Sequence, residues 1–232
     1  MLGILMLDTA FPRIRGDVGA VDTFDFPVVH ERVRGATVED VVHRDRPSLV
    51  PAFVTGGQRL VDAGCIGIAT TCGFLVRWQR ELTQALDVPV LTSALLQAAL
   101  VERTLPAGRR VGVVTYSAAD LTPDTMITAG LAADTPVAGV ARDGYFARTI
   151  RQGAASLDVD RMRADTVDAA RRLVDAHPDV GAIVLECANM PPYRDAVGLA
   201  TGRPVFDAAL LVAWFHAGLA GRSARAPAPE SS

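Results

Sequence analysis

Ile66-Gly67-Ile68-Ala69-Thr70-Thr71-Cys72-Gly73-Phe74 and, far downstream, Gly181-Ala182-Ile183-Val184-Leu185-Glu186-Cys187-Ala188-Asn189-Met190 follow one plan. Each is a short apolar run of buried-strand type that ends in a small polar turn carrying a cysteine, with helical material after it (Val76 to Leu86 and Pro191 to Leu199). A strand-to-helix turn sets its side chains at the carboxyl edge of a sheet, where ligands bind in open α/β folds. It also puts each sulfur near a helix N-terminus, whose N–H groups and dipole favour a thiolate. Two such cysteines face one another only in a chain built as two similar halves.

Working outward, the first half opens on a strand over residues 2–7 that ends at Asp8-Thr9. A loop over residues 11–27, with Arg13, Arg15 and interleaved acids, is elaborate for a connection. Its arginines fit either an anion site or a satisfied surface loop. Val28 to Val33 fits a second strand, Ser48 to Gly64 a helix, Cys65 to Ala69 the strand leading to Cys72, and Val88 to Thr92 a further strand. Ser93 to Leu105 fits a helix capped by Ser93. The plan restarts at Arg109 to Ser117, followed by a strand at Val137 to Val140, a helix at Met162 to Ala176, the second cysteine strand, and Arg203 to Asp207. The separations Asp8 to Cys72 and Thr115 to Cys187, about 64 and 72 residues, suit duplicated halves. Alternating strands and helices predict an α/β fold with parallel sheets. The expected division is an N-terminal half over 1–106 carrying Cys72, completed by a C-terminal helix over 207–220 with Trp214 and Phe215 packing inward. A second half follows over 107–206 carrying Cys187, then a disordered tail over 221–232.

Composition narrows the function. Half of the 232 residues are hydrophobic and the net charge is −3, which gives no reason to expect nucleic acid or a membrane as partner. No apolar run approaches the roughly 18 residues of a membrane span. Met1 leads directly into a core strand with no basic segment, unlike a signal peptide. Three cysteines, an odd number, fit free thiols in a reducing cytoplasm. All 23 basic residues are arginine. Without lysine there is neither a pyridoxal-phosphate Schiff base nor a P-loop. The four histidines lack ligand spacing, so no metal site is expected. No glycine-rich dinucleotide fingerprint follows the first strand.

Two thiols on opposite faces of one carbon permit a reaction that one does not: a thiolate takes the proton, the other thiol returns one to the opposite side, and the stereocentre inverts. The carbanion needs donors at the substrate carboxylate. Candidates are Thr9, Thr71, Thr115 and Ser117, together with the backbone after each cysteine at Gly73, Phe74, Ala188 and Asn189. Glu186 either bonds a substrate group, raises the neighbouring thiol's pKa by repulsion, or sits behind the site as a satisfied acid. Cys65 is expected in the core, and Tyr116 and Tyr193 in packing roles unless they reach the pocket rim.

At these residues the chain resembles the aspartate/glutamate racemase superfamily, which also contains hydantoin racemases, maleate isomerases and arylmalonate decarboxylases. The resemblance covers nearly the whole chain to about residue 220: the strand ending in Asp8-Thr9, the Thr-Thr-Cys72-Gly turn, the restart at Val111 to Ser117 and the Glu-Cys187-Ala-Asn turn. It implies two pseudo-symmetric Rossmann-like, doubly wound domains with the active site between them, proton transfer without a cofactor, and commonly a homodimer. It further implies Cys72 and Cys187 as the acid/base pair, Asp8 as an acidic residue near the substrate and Thr9 as its hydroxyl partner. Glutamate racemases usually carry Asn-Thr after the first cysteine and Thr-His after the second; here Gly73-Phe74 and Ala188-Asn189 stand there, and Phe74, Met190, Pro191 and Pro192 make the expected wall more apolar. The expected function is a racemase, with an aspartate/glutamate-type amino acid as default substrate and a hydantoin as nearest rival. A maleate-type isomerase and a non-catalytic carboxylate-binding protein are the alternatives; an arylmalonate-type decarboxylase needs only one of the cysteines.

Overall fold

The computed structural model describes residues 1–223; of the expected tail, 224–232 lie outside the described residues, and 221–223 belong to the last helix. Each half is a four-stranded, fully parallel sheet. In the first, β1 (Leu2–Met6), β2 (Val28–Arg32), β3 (Ile68–Thr70) and β4 (Val90–Leu91) lie in the order β2-β1-β3-β4. In the second, β5 (Arg110–Thr115), β6 (Val137–Gly139), β7 (Val180–Leu185) and β8 (Val205–Phe206) lie in the order β6-β5-β7-β8. The same order twice is the duplication that the two cysteine stretches announce.

Both central strands are near-continuous apolar runs because helices cover both faces of a parallel sheet. Each carries one glycine where a helix crosses. A Cβ on Gly3 would lie 2.8 Å from Leu60 Cδ1 of α1 (Val50–Asp62). On Gly112 it would lie 2.8 Å from Leu173 Cδ2, in the long helix over residues 159–176. The registers Gly3↔Ile68 and Gly112↔Ile183 bring the two cysteine strands alongside these centres.

The helices expected after Cys72 and over 93–105 are present in shorter pieces, whereas the one expected over 162–176 starts earlier, at Val159. The segment after Cys72 is a 3₁₀ turn, Gly73–Trp78, before α2 (Gln79–Ala85). Ser93 caps a 3₁₀ turn, Ala94–Gln97, by accepting from Leu95 N at 3.1 Å, and α3 (Ala98–Glu102) follows. Beyond it come α4 (Pro123–Thr128), α5 (Tyr145–Gln152), α6 (Val159–Ala176) and α7 (Arg194–Thr201). The last helix, α8 (Ala208–Ser223), returns to the first half. Phe215 and Leu219 fill the space beside Gly67, and His216 stacks on Phe26 at 3.7 Å between ring centres. Trp214 does not pack inward as expected: it is 66% exposed. A helix apolar on every side gives no stripe by which sequence could choose its buried face.

Candidate active site

The strand ends converge on a small cavity. Cys72 and Cys187 both line it, one from each half. Each follows the last ladder contact of its strand: Thr71 N donates to Leu5 O at 3.0 Å and Glu186 N to Val114 O at 2.8 Å. Thr71 and Glu186 are therefore equivalent positions, one residue before each cysteine.

Of the remaining candidates, Thr9, Arg13, Thr71, Gly73, Phe74, Glu186 and Asn189 line the same cavity. Four do not. Asp8 faces the turn after β2, its Oδ2 accepting from Gly35 N at 2.9 Å. Thr115 is buried behind Glu186 and donates to its Oε2 at 2.7 Å. Ser117 turns to Asp120, Oγ to Oδ2 at 2.5 Å, and lines a different, wider cavity. Ala188 O accepts from Val18 N at 3.1 Å, and the residue lines a smaller cavity behind the first. The cause is strand alternation: Leu7 and Tyr116, one residue earlier than Asp8 and Ser117, point to the cavity. Cys65 is in the core, and exposed Arg15 lies 3.7 Å from Asp25.

The loop over residues 11–27 is fixed to the second half by Asp17, a buried carboxylate that sequence reasoning did not single out. It accepts from Arg13 Nη1 at 2.7 Å, Gly19 N at 2.8 Å and Asn189 Nδ2 at 2.6 Å. Arg13 also donates to Thr9 Oγ1 at 3.0 Å, so its charge is already engaged. A carboxylate only accepts, so the Asn189 amide must turn Nδ2 toward Asp17 and Oδ1 toward Cys187. The Cys187 thiol donates to that oxygen at 3.4 Å. Asn189 is the only asparagine in the chain, the one sequence signal that pointed here.

Burial outweighs the helix-end effect on both sulfurs. The Cys72 thiol is pushed up to about 12 by burial and then by the charge of Glu186, against the N–H groups of Phe74 and Leu75 and the Arg77 guanidinium. Cys187 is raised well above its ordinary value by burial and Glu186, against the Asn189 N–H. Burial also lifts Glu186 to about 7, against the Thr115 hydroxyl, the Tyr116 N–H and Arg77. The expected depression of the thiols is thus reversed. Arg77, another residue the sequence did not flag, lies 5.2 Å from the centre of the Phe74 ring and donates to Thr125 Oγ1 at 3.0 Å. Aliphatic and aromatic walls (Leu7, Phe11, Val42, Tyr116 and Ile150) complete the cavity. Among the described residues, no group of three or more His, Cys, Asp or Glu is disposed to hold a metal ion, and no helix is long and apolar enough to cross a membrane.

A family model for Asp/Glu/hydantoin racemase matches residues 28–215. The chain belongs to that family. Among curated relatives, this racemase-family chain is 28% identical over 224 residues to a dimethylsulfoniopropionate lyase of Durusdinium sp. clade D, spanning 94% of this chain and 74% of that protein. It is 30% identical over 228 residues to dimethylsulfoniopropionate lyase 5 of Emiliania huxleyi, spanning 93% of this chain but 44% of that protein. Among solved structures, an allantoin racemase from Pseudomonas fluorescens superposes with a TM-score of 0.63 at 15% identity, covering 100% of this chain and 99% of the other. An aspartate racemase from Picrophilus torridus superposes at 0.54 with 13% identity, covering 99% and 96%. These likenesses establish the two-domain α/β fold; the curated relatives carry a lyase name, not that of an amino-acid racemase.

Proposed function

We propose that this chain is a cofactor-independent enzyme of carbanion chemistry, in which one cavity thiolate takes the proton next to a substrate carboxylate and the other thiol returns a proton from the opposite wall. The observation that carries this reading is the pair of buried cysteines, one from each matched turn, lining one cavity. Burial that makes a thiolate scarce also makes it a stronger base toward a weakly acidic C–H. The Asp17–Asn189 contact favours the protonated form of Cys187, so Cys72 serves as base and Cys187 as acid for one enantiomer, with roles exchanged for the other.

The substrate we infer has a single carboxylate, unlike the aspartate or glutamate expected from sequence. A second buried carboxylate would need its own cation, at a cost of several kcal/mol without one. Arg13, the basic residue lining the cavity, is already committed to Asp17 and Thr9.

A second reading, β-elimination, is favoured by the named relatives and begins with the same proton abstraction. From dimethylsulfoniopropionate the electron pair left at the α-carbon would expel neutral dimethyl sulfide and leave acrylate. Phe11, Phe74 and Tyr116 on the cavity wall suit a sulfonium group.

Proton NMR in deuterated water separates the two. The enzyme would be given both enantiomers of small amino and hydroxy acids, of aspartate and glutamate, a set of hydantoins, and dimethylsulfoniopropionate. Loss of the α-proton signal with racemisation, abolished by Cys72→Ser and by Cys187→Ser, is expected for the first reading. Vinylic signals from dimethylsulfoniopropionate would establish the second. Binding of small carboxylates without turnover would leave a non-catalytic binding protein.

Three free cysteines support a reducing, cytoplasmic setting as part of this proposal. A homodimer is also part of it. Leu100, Leu210 and Trp214, exposed by 64, 43 and 66% beside one apolar groove, are the surface a second copy would cover.

A further inference from the structure

Among the described residues, three buried side-chain polar atoms have no hydrogen-bond partner: His30 Nε2, Thr71 Oγ1 and Glu186 Oε1. Two of these three belong to residues lining the candidate cavity, and those two occupy equivalent positions immediately before the two cysteines. Buried polar groups are otherwise almost always paired, so an orphaned pair at one cavity marks where a ligand's polar atoms are received.

We propose that Glu186 meets the substrate carboxylate as a neutral acid, its Oε1–H and the Thr71 hydroxyl forming paired donors for the charge that develops when the α-carbon loses its proton. This deepens the carbanion reading above and rests on it. Four observations converge. Oε2 is already occupied by the Thr115 hydroxyl at 2.7 Å, which leaves Oε1 buried against Gly73 without a partner. Gly73 makes room for the carboxyl: a Cβ there would lie 2.8 Å from Glu186 Cδ and 2.7 Å from Glu186 O, and would collide with Oε1. Glu186 is 1% exposed and has no ion-pair partner among the described residues, a setting in which a carboxylate is costly and a carboxylic acid is not. Arg77, the cation that acts on it, directs its donors to Thr125, Val42 and Asp120. The rise of Glu186 to about 7 through burial agrees with this geometry.

The chemistry balances without a further reactant. As the thiolate sulfur takes the α-proton, the C–H bond breaks, an S–H bond forms, and the C–H electron pair moves into the carboxylate to give an enediolate. The substrate's negative charge facing it raises the proton affinity of Glu186 further, so the acid holds its proton, and its hydrogen bond strengthens as charge accumulates on the oxygen it faces. When the second thiol protonates carbon, the charge returns to sulfur. An ionised Glu186 would instead place a second negative charge against the substrate's own.

Three measurements test this. The first is the infrared band of a protonated carboxyl in wild type at about pH 6, expected to be absent from Glu186→Gln and to disappear from wild type as pH rises through about 7. No such band in wild type overturns the proposal. The second is calorimetry with propionate at about pH 7.5 in buffers of different ionisation heat. Wild type is expected to take up a proton on binding and Glu186→Gln to take up none; equal uptake by both overturns it. Neither readout needs turnover, so failure to find a substrate would sink the carbanion reading while the protonation state of Glu186 is still decided by these two. The third is turnover, if any is found. Glu186→Ala should lose about 10²–10³-fold. Glu186→Gln, which keeps an N–H donor, should lose no more than about tenfold and show no decline as pH rises through neutrality. Glutamine as inactive as alanine at every pH means an ionised Glu186 acts as a base, which refutes the neutral-acid role.

Discussion

Asp17→Asn tests the link between loop and site most directly. The carboxylate accepts three hydrogen bonds, from Arg13, Gly19 and Asn189, all at 2.6–2.8 Å, and its ion pair with Arg13 is 5% and 10% exposed on the two side chains. The amide has the same shape but offers one acceptor and one donor end, so at least one of the three contacts becomes donor against donor. Removing one partner of a buried ion pair costs about 3–5 kcal/mol, because the remaining charge stays buried without compensation. At roughly 2–4 °C per kcal/mol for a chain of this size, the midpoint of thermal unfolding should fall by about 6–20 °C. Urea unfolding followed by tryptophan fluorescence gives the free energy. The double variant Arg13→Met, Asp17→Asn should recover part of the loss, giving a coupling of at least about 1 kcal/mol. A single variant within about 1 kcal/mol of wild type, or a strictly additive double, would refute the claim that this pair anchors the loop.

Three other outcomes are expected. Gly73→Ala should lower stability by about 1–3 kcal/mol, since the new methyl meets the backbone and carboxyl of Glu186; an unchanged melting curve would mean the wall there is slack. Glu186 binds its proton more tightly in the folded chain, 4.5 rising to about 7, so it contributes stability fully present below pH 4.5 and lost as pH climbs through about 7. At about 1.4 kcal/mol per tenfold in proton affinity that loss is about 3 kcal/mol. Glu186→Gln should show no such descent between about pH 4.5 and 7, and parallel curves for the two proteins would count against it. Trp214→Arg should convert a sedimenting dimer into a monomer, and a wild type that already sediments as a monomer would dispose of the dimer face.

The halves were legible because strand, turn and helix recur with the same punctuation, and a buried parallel strand such as Gly181 to Leu185 declares itself by an uninterrupted apolar run. The residues beside the cysteines were legible for the same reason: a turn at a strand end leaves few directions for Thr71, Gly73 or Glu186 to face. Asp8 and Ser117 miss the cavity by a single residue. In a strand that step reverses the side of the sheet, and a polar residue drew attention that the apolar Leu7 and aromatic Tyr116 did not. Asp17 was invisible because its partner Asn189 is 172 residues away and nothing periodic connects them. The thiols' elevated proton affinity was likewise hidden, since sequence locates a helix end but not the depth of burial that opposes it.

Helix α8 bears on how the protein is made. It packs against Gly67 and Phe26 of the first half, while the second half's four strands follow one another without interruption from β5 to β8. During synthesis the earlier half therefore leaves the ribosome before the helix that covers it exists. At roughly 5–20 residues per second, it waits on the order of ten seconds with that flank bare. The later half has no such delay. The first half is thus completed only by a helix made after all four strands of the second.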